Sequence, residues 1–375
     1  MKVVVSGAVA NRVRNAGEAW VRASWVEALT ELGHEVTFVE ALAARSAEES
    51  LAASGWFAEV VAWFDLVDRS HLVVAISPAD LEPTEAVREV LGQADVLVDI
   101  SGTLPIDWLD LVRGERVYVD LDPGFTQVWA AHGLIELGRH HLHATVGTRI
   151  GRPGGPGPTG GVDWIGIRQP VVLRRWPTSA VPVDPFRCTT VTSWRPSYGP
   201  LEWDGVIHGL KVHEFRRHRA LPDLTRARME LALAIDDADA GDRDALLASG
   251  WNLSDPRLAS GSPDGFRRFV AASSAEWSVA QGAYVGLDTG WFSDRTVRYL
   301  ASGRPAIVQD TGWTHELPSG SGLLGFHDPE SAATAIDSVM SDPQRHGAAA
   351  RRLAEEFFAP GPALGPLLHR LGVTT

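Results

Sequence analysis

Apolar residues recur along the chain in two patterns. Near-continuous runs of strand length occupy residues 2–6, 35–40, 72–76, 95–100 and 116–121. Between them stand segments with spacings of three and four, the period of an amphipathic helix. In 17–32 the apolar set is Ala19, Trp20, Ala23, Val26, Leu29 and Leu32, and Gly33 follows as a stop. A second helix is expected over 55–68, where Trp56, Phe57, Val60, Val61, Trp63, Phe64 and Val67 form a broad stripe. Its polar positions Glu59, Asp65 and Asp68 are acidic where a lipid-binding helix carries Lys or Arg, so the stripe reads as core or inter-domain packing. Strands that are apolar on both faces and alternate with helices imply a parallel sheet covered on both sides.

The pattern stops at 151–161, where six glycines and three prolines in eleven residues exclude helix and strand and predict a mobile loop of the kind that covers a site. A Pro-rich passage over 175–185 reads as a linker. A second α/β series follows it, with strand-length runs at 189–193, 228–235, 266–271 and 305–309 and helices over 328–340 and 343–358. The expected fold class is α/β, two doubly wound, Rossmann-like domains facing across a cleft. They span 1–177 and 178–359, and the last segment, 360–375, is a candidate to return to the first domain.

Composition removes several function classes. Of 375 residues, 34 are Lys or Arg and 47 are Asp or Glu, a formal net charge of -13. That field repels a phosphate backbone and an anionic bilayer, so nucleic acid and membrane are not expected partners. Cys188 is the sole cysteine, which excludes an internal disulfide and a thiolate metal cluster. No secretory apolar core follows Met1, and no run of about 18 apolar residues occurs, so a cytoplasmic location is expected.

Ligands of doubly wound sheets bind beyond the carboxyl ends of the strands. The densest candidate there is 290–305. Ser293 or Asp294 caps a helix beginning near Arg295, and its free N–H groups with Arg295 and Arg298 make an anion site, although an ordinary capped helix fits the same letters. Lys211 gains weight from composition, because positive charge is otherwise written as arginine everywhere except Lys2. A compact ammonium at the start of a helix suits a diphosphate.

The same segment carries a resemblance. Ala301-Ser-Gly-Arg-Pro305, an apolar strand and Asp310-Thr-Gly312 resemble the donor-binding segment of GT-B glycosyltransferases, and 290–312, GWFSDRT…YLASGRP…QDTG, is similar to that of bacterial glycosyltransferase-like proteins. Shorter stretches agree, among them Asp120-Leu-Asp-Pro-Gly-Phe-Thr126 and Gly209-Leu-Lys-Val-His-Glu-Phe215. The resemblance implies GT-B architecture, an N-terminal acceptor domain and a C-terminal domain that holds a nucleotide-diphosphate sugar as co-substrate. It also implies a small-molecule or other cytoplasmic acceptor, with no further cofactor and no metal required. The donor side would comprise Lys211, Trp291, Ser293, Asp294, Arg295, Thr296, Arg298, Asp310 and Thr311. Many retaining members carry two glutamates eight positions apart, but Gly290 and Arg298 stand in those places, which leaves the stereochemical course open.

In the first domain the resemblance turns the loop after the first strand toward the cleft, making Gly17 and Glu18 neighbours of the sugar. Asp122 and Glu18 are the candidate catalytic carboxylates, and Trp20, His143 and Thr145 are further cleft candidates. Asp120-Leu-Asp122 has other readings: a metal-binding DxD, a structural turn before Pro123-Gly124, or the nucleophile motif of a haloacid-dehalogenase-type magnesium-dependent phosphatase. Lys211 and Asp236-Asp237 follow in the order that family uses. A non-catalytic nucleotide-sugar-binding protein is the third class. His140, His141 and His143 lack metal-site partners. Of 14 tryptophans, Trp25, Trp56, Trp63 and Trp277 sit in helical patterns and read as core, whereas Trp20, Trp194, Trp291 and Trp313 are candidates to stack on a base or sugar.

Overall fold

Strand β1 (Lys2–Ser6) has parallel neighbours on both edges, and Val3, Val4 and Val5 are all buried, which is why its valine run is unbroken. The computed structural model describes residues 1–196 and 198–373. Around β1 lie β2 (Glu35–Ala43), β3 (Ser70–Ala75), β4 (Val96–Ile100), β5 (Glu115–Asp120), β6 (Leu142–Thr145) and β7 (Trp164–Gly166). They form a seven-stranded parallel sheet of order β3-β2-β1-β4-β5-β6-β7. Its helices are α1 (Ala16–Glu31), α2 (Ala47–Trp63), α3 (Glu85–Gln93) and α4 (Phe125–Ala131).

A second parallel sheet has six strands in the order β12-β11-β8-β13-β14-β15. These are β8 (Arg187–Ser193), β11 (Arg228–Ala234), β12 (Asn252–Ser254), β13 (Ala275–Ser278), β14 (Ala306–Gln309) and β15 (Leu323–Phe326), while β9 (Leu201–Trp203) and β10 (Val206–His208) make a separate hairpin. Helices α5 (Lys211–Arg217), α6 (Ala240–Ala248), α7 (Pro256–Ser260), α8 (Pro263–Ala271), α9 (Gly282–Gly286), α10 (Asp294–Ala301), α11 (Pro329–Ser341) and α12 (Pro343–Leu353) accompany it, and α13 (Pro360–Arg370) closes the series. The two doubly wound α/β halves expected from the alternation are present.

Three elements differ from expectation. The run at 266–271 is helix α8: Ser262 accepts the Gly265 N–H, Pro263 takes the first turn, and Phe266 and Val270 are buried one turn apart. The strand of that region is β13, whose apolar pattern is broken by Glu276 and Ser278 and which carries Trp277 into the core. Helix α2 starts eight residues earlier than expected from the stripe at 55–68, because Ser46 caps it by accepting the Glu49 N–H at 3.1 Å.

The halves are joined by more than the linker. Trp20 of α1 packs against Trp63, Phe64 and Trp176 and donates its indole N–H to the Pro263 carbonyl at 3.1 Å. Toward the end, the chain passes back beside the first sheet: Arg168 N–H donates to the Ala363 carbonyl and Val171 N–H to that of Phe358. Of the segment 360–375, Thr374 and Thr375 lie outside the described residues. No described helix is long and apolar enough to cross a membrane.

Candidate functional site

A cavity of about 520 Å³ opens between the two sheets. Its walls come from the carboxyl ends of β4, β5, β8 and β11 and from the starts of α1 and α10, where Ser101, Asp122, Ser193, Ala234, Glu18 and Asp294 reach its surface. This is the crevice that strand-order reversal opens in a doubly wound sheet, since β1 and β4 are adjacent in one half and β8 and β13 in the other.

On the first wall, Asn15 caps α1 by accepting the Glu18 N–H at 3.3 Å, which sets Gly17 and Glu18 at the cavity mouth. Glu18 pairs with Arg22 one turn on. Arg22 is only 6% exposed and lies across Gly7, where a Cβ would stand 2.7 Å from its Cγ, so Gly7 makes room for the arginine. The spacing of Glu18 and Arg22 was readable as an i,i+4 pair, but nothing in the sequence said that the pair would be covered.

Two aspartates two residues apart have opposite surroundings. Asp120 is 0% exposed and accepts from Thr126 (2.6 Å), Thr145 (2.7 Å), Gln127 (2.8 Å) and the Asp122 N–H (2.9 Å). Both its oxygens are consumed in building the turn, which counts against Asp120 as the nucleophile of the phosphatase reading. Asp122 faces the cavity, and its Oδ1 accepts the Tyr284 hydroxyl at 2.6 Å. Burial pushes its carboxyl up to about 6, with Asp120 and Glu18 adding to the shift and Tyr284 and Arg22 opposing it.

On the second wall, Lys211 opens α5, its N–H bound to Gln281 Oε1 at 2.7 Å. Its ammonium lines the cavity without a hydrogen-bond partner among the described residues. Burial, with Arg295 beside it, lowers its value to about 7, while Asp122 pulls the other way. Arg295 also lines the cavity, fixed from behind by Glu276 (Nε to Oε1, 2.6 Å), the Val191 carbonyl (3.1 Å) and the Ser278 hydroxyl. Glu276 is fully buried, and burial raises its carboxyl against the pull of Arg295. The sequence reading missed Glu276 and Tyr284. Glutamate in a short strand gave the only signal for the first, and the second had none.

The expected set therefore divides. Gly17, Glu18, Asp122, Lys211, Trp291, Asp294 and Arg295 come together around the cavity. Others turn away from it. Arg298 is 2% exposed and bonded to the Asp294 carboxylate at 2.8 Å, so its charge is spent within the helix. Ser293 makes no cap bond through its side chain, and Ser293 and Thr296 are buried beside a separate small crevice. Asp310 accepts from the Gly312 N–H and the Thr314 hydroxyl, and buried Thr311 donates to the Trp291 carbonyl, so both build the turn after β14. His143 donates to the Leu137 carbonyl and Thr145 to Asp120, and neither lines the cavity. Trp20, Trp194 and Trp313 are core residues, and of the four stacking candidates Trp291 alone lines the cavity.

The glycine-rich loop also lies elsewhere. It packs on α4, where a Cβ at Gly160 (φ +64°) would stand 2.8 Å from Ala130, and none of its residues lines the cavity. Among the described residues no cluster of three or more His, Cys, Asp or Glu is arranged to hold a metal.

No family model matches the chain. Over 120 residues it is 31% identical to a GDP-mannose-dependent alpha-(1-6)-phosphatidylinositol dimannoside mannosyltransferase of Mycobacterium tuberculosis, a match covering 31% of this chain and 32% of that enzyme. The chain thus spans about a third of the length of the curated relative it matches. An alpha-glucosyltransferase in complex with UDP and a 13-mer DNA superposes over 99% of this chain and 98% of its own, with TM-score 0.59 and 8% identity. HepE of Anabaena in complex with UDP-glucose superposes over 99% of each chain, with TM-score 0.57 and 12% identity. The architecture is that of the GT-B fold, two Rossmann-like domains facing across a cleft.

Proposed function

We propose that the chain is a glycosyltransferase that moves a sugar from a nucleoside-diphosphate donor to an acceptor hydroxyl within the cavity between its sheets. One observation carries the reading: a cleft at the strand ends of both sheets sets the cations Lys211 and Arg295 on one wall and the carboxylate of Asp122 on the other. The similarity to a mannosyltransferase and to folds with UDP or UDP-glucose bound supports it.

In this reading the bond between the sugar's anomeric carbon and the diphosphate oxygen breaks as the acceptor oxygen bonds to that carbon. Negative charge then grows on the departing diphosphate, where Lys211, Arg295 and the unbonded first-turn amides of α10 stabilise it, so that no metal ion is needed for that role. Asp122, ionised above about pH 6, takes the proton of the acceptor hydroxyl. Glu18 and Gly17 flank the sugar, and Trp291 offers an aromatic face. The acceptor is a hydroxyl compound that fits the polar first wall. The net charge of -13 argues against a nucleic acid there, even though one structural neighbour is in complex with DNA.

Thermal shift against a panel of nucleoside diphosphates, followed by chromatography of the matching nucleotide sugar with candidate acceptors, tests the proposal. A stabilising diphosphate and its release from the sugar nucleotide, both lost in Lys211→Ala, are expected. Binding without turnover would favour a nucleotide-sugar-binding protein, and magnesium-dependent release of inorganic phosphate would favour a phosphatase.

A further inference from the structure

The base candidate Asp122 is held from the far side of the cleft. Tyr284 sits on α9 in the second half of the molecule, and its hydroxyl reaches Oδ1 of Asp122, in the first half, at 2.6 Å. This is the one hydrogen bond donated to the Asp122 carboxylate among the described residues. The ring is 3% exposed, stacked on Trp291 with centroids 4.5 Å apart and edge-on to Phe125 at 5.9 Å. Packing on both sides leaves the hydroxyl little choice of position, and the chain N-terminal to it is fixed as well, because the Tyr284 N–H donates to the Gln281 carbonyl.

We propose that Tyr284 is a positioning residue for Asp122, pinning one carboxylate oxygen from the opposite half so that the other is presented to the acceptor hydroxyl. The proposal rests on the reading of Asp122 as the base. It gives the cleft a coupling: Trp291 lines the cavity and stacks on Tyr284, so a ligand seated on the indole presses on the ring that holds the base. Domains drawn apart would leave Asp122 without its donor. The charged and titratable groups facing Asp122 are Asp120 and Glu18, which oppose its ionisation, Arg22 and Lys211, which favour it, and Tyr198 beside Tyr284. Among them Tyr284 acts by direct hydrogen bond to the ionised form, so its removal disfavours the carboxylate.

Tyr284→Phe keeps the ring and its stacking and removes the hydroxyl. The acid limb of the kcat profile is expected to move to higher pH: about tenfold lower kcat at pH 6, closing to within about threefold at pH 8, with donor KM unchanged. A merely structural role would lower kcat by the same factor at every pH, and that result overturns the proposal. A readout independent of turnover is the carboxyl-carbon NMR titration of Asp122 in the ligand-free protein, its signal assigned by Asp122→Asn. A midpoint raised in Tyr284→Phe supports the contact, and an unmoved midpoint overturns it whatever the activity does. Should the midpoint rise while Asp122→Asn transfers sugar at the full rate, the base reading itself falls, and the role of Tyr284 in catalysis with it.

Discussion

The two walls of the cleft solve the same problem in different ways. The second wall presents cations to the cavity and hides their counter-charge: Glu276 lies behind Arg295, fully buried, and the Lys211 ammonium has no hydrogen-bond or ion-pair partner among the described residues. The first wall presents a carboxylate, Asp122, and pairs its own cation, Arg22, with Glu18. A field of -13 would repel an anionic donor, but the local arrangement places free positive charge at one point of the cavity and proton-accepting capacity at the other. Local placement outweighs net charge because a buried charge is poorly screened, whereas surface carboxylates act through water and salt.

The largest expected effects separate the walls. Asp122→Asn should lower transfer by about 10²–10⁴-fold and leave diphosphate binding intact, as isothermal calorimetry would show. Lys211→Ala should lower both binding and turnover, by about 10²–10³-fold in kcat/KM. Equal effects on donor affinity from the two variants would erase the division of labour.

Next comes the buried pair. Arg295→Ala strips Glu276 of its partner and should cost about 3–5 kcal/mol of stability as well as turnover. In Arg295→Met with Glu276→Gln, most of that stability should return, read as the urea midpoint, while turnover stays lost. A double variant as unstable as the single one would mean that Glu276 does more than support the arginine.

pH dependence sharpens the contrast further. Asp122, raised to about 6, is protonated below that pH, and Lys211, lowered to about 7, loses its charge above about 7. The profile of kcat/KM should therefore be a narrow bell between those limbs, and in kcat the basic limb should move upward, because bound diphosphate favours the ammonium. A profile flat from pH 5 to 9 would dismiss both groups.

The smallest expected effect on activity belongs to Asp120→Asn. Its amide would turn a donor toward hydroxyls and amides that already donate, costing about 1–3 kcal/mol of stability, with kcat changed only a few-fold. The phosphatase reading expects total loss instead.

Much of the fold was legible because buried parallel strands tolerate few polar residues: β1 matches its valine run residue for residue. The misread stretch shows the limit of that rule. Phe266 and Val270 are apolar in either secondary structure, and Ser262-Pro263 was the signal that decided for helix. Strand β13 was overlooked because Glu276 breaks its pattern, and its partner lies 19 residues further along the chain. At the site, the segment 290–305 was found by composition and cap residues, but those letters do not distinguish Arg295 from Arg298. Positions three apart lie on nearly the same face of a helix, so the difference comes from what each end of α10 is docked against: Glu276 and Ser278 of β13 for Arg295, and the helix's own Asp294 for Arg298.

The sequence by itself determined the two α/β halves, the anion-favouring helix start and the singularity of Lys211, since each follows from periodicity, capping or composition. Tertiary structure decided which charges are available. Asp120 and Asp122 share one turn, yet one is consumed by four hydrogen bonds and the other is left to a tyrosine from the opposite domain. Burial and long-range partners set the protonation and reach of a side chain, and both arise only when segments far apart in the chain are packed together.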